Sequence, residues 1–205
     1  IQVLKDVNLK INSNQTVGLI GPSGSGKSTL LNILGLIQKP EEGEFKILET
    51  STNVLNEIQI TKLRREKIGY IFQNSQLLED FNCLENVAMP LLLNGLSKDE
   101  SYSRAKKMME EFGLKNKLYF KPSLLSGGES QRVSVLRALI KKPLILLADE
   151  PTGSLDQKNG QLVMKYIFEL ARQFKTLCIV ATHNLSFVSN FNICYKISNS
   201  KLYKL

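Results

Sequence analysis

No apolar run in this sequence approaches the roughly 18 residues that a membrane-spanning helix needs. The longest candidates, Leu91-Leu92-Leu93 and Leu144-Ile145-Leu146-Leu147-Ala148, fall far short. Cysteine is scarce: Cys83, Cys178 and Cys194 are odd in number and lack metal-ligand spacing. That argues against a disulfide framework and for a reducing compartment. Histidine occurs once, at His183, and no aromatic residue precedes Phe45. Internal repeats, heptad arrays and low-complexity segments are missing too. No signal peptide opens the sequence, and it begins at Ile1 rather than methionine. The expectation is a cytosolic chain trimmed at its N-terminus.

What is present is a globular composition. The 205 residues suffice for one α/β domain with a sizeable core and a subdomain. Hydrophobic residues make up 42% and charged residues 22%, as in soluble proteins. Net charge is +8, from 27 basic and 19 acidic side chains. The lysines are scattered rather than gathered into a stripe, which reads as a solvated surface and not a nucleic-acid footprint.

Gly21-Pro22-Ser23-Gly24-Ser25-Gly26-Lys27-Ser28 fits Gly-x-x-x-x-Gly-Lys-Ser, a nucleotide phosphate-binding loop. Its flanks agree. Thr16–Ile20 reads as a short buried strand, and Leu30, Ile33, Leu34 and Ile37 recur at helical spacing after the loop. Small residues let backbone N–H groups curl around phosphate oxygens, and the helix N-terminus adds partial positive charge. Lys27 would reach the β- and γ-phosphates, and the Ser28 hydroxyl would meet Mg²⁺.

Further along, Ile1–Ile11 alternates loosely and looks like strand material. Glu44–Leu48, Ile68–Phe72, Leu144–Ala148 and Leu177–Ala181 read as strands, the third with the unbroken apolar run of a parallel strand covered on both faces. A short helix is expected around Leu63. Another is expected in Cys83–Leu93, with Pro90 as a kink or boundary. A capping box at Ser97–Glu100 opens a helix that buries Ala105, Met108, Met109 and Phe112 and stops at Gly113. A helix over Asn159–Phe174 and a hairpin about Asn199-Ser200 complete the pattern. Residues 74–140 therefore read as a helical insert between 1–73 and 141–205, the two parts of an α/β core.

The phosphate loop alone leaves many families open. Asn116-Lys117-Leu118-Tyr119 begins like a guanine-reading motif but has Tyr119 where an acid is required, which argues against a GTPase. Asp149 and Glu150 close a buried strand, where an acid can hold Mg²⁺ through its water shell and its neighbour can take a proton from water. Leu125-Ser126-Gly127-Gly128-Glu129 then resembles the signature of the ATP-binding-cassette (ABC) ATPases, with Glu129 where Gln is commoner. Gln73, Ser154-Leu155-Asp156 and His183 follow the same family's order, as its Q-loop, D-loop and switch histidine. The resemblance covers essentially the whole chain.

That resemblance implies a P-loop (RecA-like) α/β fold: a parallel-sheet core, a small antiparallel β part and the helical insert. It implies ATP and Mg²⁺ as cofactors, and a head-to-tail homodimer with ATP between one phosphate loop and the partner's signature. Gly21, Pro22, Ser23, Gly24, Ser25, Gly26, Lys27, Ser28 and Thr29 would bind nucleotide from one side. Ser126, Gly127, Gly128 and Glu129 would bind it from the other, with Asp156 at the interface. Ser28, Gln73 and Asp149 would surround the metal, Glu150 would be the general base, and His183 would position the γ-phosphate and water. Integral-membrane permease subunits would dock on the insert at the cytoplasmic face of the bacterial inner membrane and alone contact the transported substrate.

Lys27–Gly35 and Leu147–Gly153 resemble a branch that holds lipoprotein-releasing, macrolide-export and cell-division ATPases, and within it Glu85–Pro90 and Ala181–Asn184 look most like the lipoprotein-releasing members. A soluble ABC ATPase of DNA repair or translation is the rival from another class, and a cassette that binds nucleotide without hydrolysing it is a third. Two departures stand out. No aromatic residue precedes the phosphate loop to stack on adenine, and Asn184 follows His183 where Asp is more usual.

Overall fold

The computed structural model describes residues 2–205. The unbroken apolar runs become adjacent parallel strands: β1 (Thr16–Ile20), β4 (Ile68–Ile71), β5 (Ile145–Asp149) and β6 (Leu177–Thr182). Val17, Leu19, Leu146, Leu147, Ala148, Val180 and Ala181 are fully buried, as strands covered on both faces require. With β7 (Ile193–Ser198) and β8 (Lys201–Lys204) they form a six-stranded sheet in the order β4-β5-β6-β1-β7-β8. Neighbours pair in parallel except β7 and β8, which pair as an antiparallel hairpin. Asn199 and Ser200 both take positive φ, 49° and 63°, the geometry of a tight hairpin turn. A two-stranded antiparallel sheet, β2 (Lys46–Ile47) with β3 (Thr50–Ser51), stands apart.

The helices are α1 (Lys27–Leu34), α2 (Glu57–Lys67), α3 (Cys83–Leu93), α4 (Lys98–Glu111), α5 (Gly127–Leu139) and α6 (Gln157–Gln173). Leu30 and Leu31 of α1 pack on one sheet face with Val17, Leu19, Leu147 and Ile179. On the other face, α3, α4, α5 and α6 share one continuous core with Ile71, Leu146 and Val180. Helix α5 crosses β4 so closely that a Cβ on Gly69 would lie 2.5 Å from the Ala138 carbonyl oxygen.

Parallel strands place their carboxyl ends on one edge, where ligands of open α/β sheets bind. The carboxyl ends of β1, β4, β5 and β6 and the loops that follow them therefore converge, and they carry the phosphate loop, Gln73, Asp149-Glu150 and His183 respectively.

Four expectations change. Residues 2–11 form no strand, although Leu4, Val7, Leu9 and Ile11 do pack on the core; alternation marks one buried face, whereas a ladder also needs a neighbouring strand. The strand expected over Glu44–Leu48 shrinks to Lys46–Ile47, since Leu48 and Glu49 take φ of 49° and 64° and turn the chain. Pro90 does not end α3, which runs through it to Leu93. Ser97 does cap α4 by accepting from the Glu100 N–H, but the Glu100 carboxylate pairs with Arg104 instead of completing the box.

Candidate functional site

The phosphate loop bends where only glycine bends freely. Gly24 and Gly26 take φ of 77° and 100°, the left-handed region costing other residues about 1–2 kcal/mol. A Cβ on Gly21 would lie 2.6 Å from Ser25 Oγ and 2.9 Å from the Ile197 carbonyl oxygen. Helix α1 starts at Lys27 without a side-chain cap, so its first-turn N–H groups are free to meet an anion. Lys27 is 6% exposed. Its Nζ donates to the carbonyls of Gly21 (2.8 Å) and Pro22 (3.0 Å) and lies 3.4 Å from Glu150 Oε1.

The end of β5 supplies two carboxylates with different surroundings. Asp149 Oδ1 is buried without a hydrogen-bond partner among the described residues. Burial raises the Asp149 pKa above the ordinary carboxylate value; the Ser28 hydroxyl beside it partly offsets the rise, and the Glu150 charge adds to it. Glu150 departs from strand geometry at φ 45°. Its N–H donates to the Ala181 carbonyl at 2.9 Å. Its Oε2 accepts from the His183 backbone N–H at 3.3 Å and lies 3.0 Å from His183 Nδ1. A left-handed residue held between a buried lysine and a histidine is the kind of local strain found at functional sites.

Gln73 belongs to this group: a Cβ on Gly153, in the turn after Glu150, would come within 3.2 Å of Gln73 Nε2. The structure thus gathers Lys27, Ser28, Gln73, Asp149, Glu150 and His183. Ser126–Glu129 form a second cluster elsewhere on the chain. Ser126 caps α5 by accepting from the Glu129 N–H, and Glu129 Oε2 accepts from the Ser126 N–H at 2.8 Å and its Oγ at 3.0 Å. Asp156 caps α6 through the Asn159 N–H at 3.0 Å. Asn159 lies against Gly128, where a Cβ would meet it at 3.0 Å, and Leu155 against Gly127 at 3.5 Å.

Asn184 acts locally. Its Oδ1 accepts from the Ser186 N–H at 2.9 Å and the Ser186 hydroxyl at 2.7 Å, which caps the next turn without engaging His183.

Three residues behind the site were not legible in the sequence. Gln131, 2% exposed in α5, donates to the Phe72 carbonyl at 3.0 Å. Arg137 donates to the carbonyls of Ser75 (2.9 Å) and Gln76 (2.8 Å). Asn86, fully buried in α3, donates to the carbonyls of Leu78, Phe81 and Asn82 and accepts from the Leu78 N–H. Together they fix the segment that follows Gln73. In the sequence, Gln131-Arg132 and Arg137 stand out only as residues that follow Ser126–Glu129 in the order of the family the chain resembles, which does not reveal their partners.

Known proteins resemble this chain over most of its length. A family model described as ABC transporter matches residues 4–153. The chain is 40% identical over 204 residues to the lipoprotein-releasing system ATP-binding protein LolD of Saccharophagus degradans, covering 100% of this chain and 90% of that protein. It is 45% identical over 186 residues to the macrolide export ATP-binding/permease protein MacB of Pectobacterium atrosepticum, covering 91% of this chain but 28% of that protein. Among solved structures, a dimeric ATP-binding cassette in a post-hydrolysis state with ADP and phosphate superposes at a TM-score of 0.90. It is 38% identical and is matched over 99% of this chain and 90% of its own.

Proposed function

The chain belongs to the ABC transporter family and is an ATP-hydrolysing ABC ATPase; from that premise we propose that it powers a membrane complex releasing lipoproteins. The observation that carries this reading is the match over nearly the whole length of a lipoprotein-releasing ATPase. The macrolide exporter aligns only through 28% of a longer chain. No helix among the described residues is long and apolar enough to cross a membrane, so in this reading the membrane part of the complex is supplied by partner permeases. They would dock on residues 74–140, taken as a helical subdomain, at the cytoplasmic face of the inner membrane, and they alone would contact the lipoprotein. Nucleic acid has no part in this reading.

In this proposal the loop Gly21–Thr29 cradles the ATP phosphates, with its amides and the α1 N-terminus facing their charge. Lys27 exchanges its loop carbonyls for phosphate oxygens. The Ser28 hydroxyl, the Gln73 amide and Asp149 are hard oxygen donors suited to magnesium, and the unpartnered Asp149 Oδ1 fits such an ion. The metal would neutralise phosphate charge during transfer. Glu150 accepts a proton from the attacking water at its carboxylate. His183, within hydrogen-bonding distance of that carboxylate, orients water and the γ-phosphate. Ser126–Glu129 and Asp156 complete the site of a second copy, consistent with the dimeric cassette that superposes on this chain.

Affinity purification of the tagged chain from membranes tests the assignment. Recovery of lipoprotein-releasing permeases supports it, and recovery of only a drug-export or division permease overturns it.

A further inference from the structure

The signature cluster contains a charge at odds with phosphate binding. Glu129 stands in the first turn of α5 and, with Ser126, closes a reciprocal cap. Its pKa is held below the ordinary carboxylate value, first by the Ser126 backbone N–H and further by Lys117 and the Ser126 hydroxyl. It is therefore ionised at neutral pH. A bare carboxylate suits a helix N-terminus in isolation but opposes the approach of a triphosphate to the same N–H groups.

Lys117 answers that charge. Its Nζ lies 3.2 Å from Glu129 Oε1, with both side chains more than two-thirds buried, at 27% and 20% exposure. The Phe120 ring lies under the ammonium, 4.6 Å from Nζ. The turn that carries Lys117 is itself fixed: the Cys83 and Leu84 N–H groups at the start of α3 donate to the Phe120 and Leu118 carbonyls, each at 2.9 Å. The ammonium is thus held beside Glu129 by a rigid base on one side and an aromatic face on the other. A pair so shielded is screened less by salt than an exposed one.

We propose that Lys117 is a positioning residue for the ATPase reaction: its ion pair with Glu129 cancels the carboxylate charge at the α5 N-terminus, so that the signature can close on the γ-phosphate bound by a partner copy. Glu129 keeps Ser126 oriented through its two hydrogen bonds, and Lys117 keeps that arrangement from repelling the phosphate. The inference rests on the shared-site reading above.

The test measures ATP-dependent dimerisation by analytical ultracentrifugation in a Glu150→Gln background, which slows turnover. Lys117→Met should weaken the ATP-bound dimer about tenfold, the size of a charge effect at a part-buried helix terminus. Adding Glu129→Gln, which keeps an oxygen for the Ser126 cap but removes the charge, should restore dimerisation to within about twofold of the reference. Lys117→Arg should dimerise like the reference. In the nucleotide-free monomer, Lys117→Met should raise the Glu129 pKa read by NMR. Dimerisation unchanged by Lys117→Met, or a loss that Glu129→Gln fails to rescue, overturns the proposal; the second outcome would mean that Lys117 only holds the turn. A reference protein that stays monomeric with ATP would overturn the shared-site reading itself.

Discussion

Gln131 and Phe72 lie 59 residues apart in sequence, yet the buried Gln131 amide donates a 3.0 Å hydrogen bond to the Phe72 carbonyl. Phe72 immediately precedes Gln73, and Gln131 sits one turn into the helix that begins with Gly127-Gly128. The bond ties the start of α5 to the end of β4, and Arg137 repeats the tie two turns later at Ser75 and Gln76. A movement of α5 against the sheet would pull on the Gln73 loop through these bonds.

Removing this tie should loosen the loop before it unfolds the protein. Gln131→Met, close to isosteric, deletes one hydrogen bond and should lower stability by about 1 kcal/mol, read from the urea midpoint at unchanged slope. Arg137→Met leaves two carbonyls without their charged donor and should cost about 2 kcal/mol. In both variants amide exchange over residues 73–78 should quicken more than exchange in β5 and β6. Uniform quickening would mean that the bonds stabilise the domain without coupling its parts.

Glu150 is held by Lys27 on one oxygen and His183 on the other, so its carboxylate is positioned before water arrives. Glu150→Gln keeps the shape and removes the proton acceptor; turnover should fall by about a hundredfold or more while ATP binding persists and a dimer accumulates. His183→Ala should cut kcat by a comparable factor with little change in the ATP dissociation constant. Near-normal turnover of Glu150→Gln would remove Glu150 from the general-base role.

How much of this is legible beforehand depends on sequence range. The parallel strands are legible because burial on both faces forces unbroken apolar runs, as in Leu146-Leu147-Ala148. The gathering of Lys27, Asp149, Glu150 and His183 follows, since each lies at the carboxyl end of such a run or, for Lys27, at the end of the loop that leaves it. The ties through Gln131, Arg137 and Asn86 are not legible, because their partners are carbonyl groups, which every residue type carries. Lys117 stands out in the sequence only through what its motif lacks at Tyr119. Its pairing with Glu129 depends on the turn anchored to α3, a tertiary fact. Ser97–Glu100 fails in the opposite way: the local pattern is present, but Arg104 one turn on competes for the carboxylate.

Close packing makes Gly69 a test of the fold independent of the site. Its Cβ would collide with the Ala138 carbonyl at 2.5 Å and meet the Pro143 ring at 3.1 Å, and the helix backbone on the nearer side leaves little room to yield. Gly69→Ala should therefore cost about 1–3 kcal/mol, measured by guanidinium denaturation. A neutral result would show that α5 and β4 can separate, and with them the route from α5 to Gln73.

Asp149 should show the conflict between stability and function most directly. Burial raises its pKa in the folded chain, so over the interval between its unfolded and folded values the native state binds more protons than the unfolded one. By linkage, stability then falls as pH rises through that interval; the ionised carboxylate is a burden at neutral pH and none below the unfolded pKa. Asp149→Asn should thus unfold at a higher denaturant concentration than the parent at neutral pH without nucleotide, and the difference should vanish as the medium is acidified past the ordinary aspartate range. The same variant should lose magnesium-dependent ATPase activity by about a hundredfold or more, because the anionic donor that would hold the charge-neutralising magnesium is gone. A variant both less stable at neutral pH and still active with magnesium would mean that Asp149 is a structural acid and that the metal is held elsewhere.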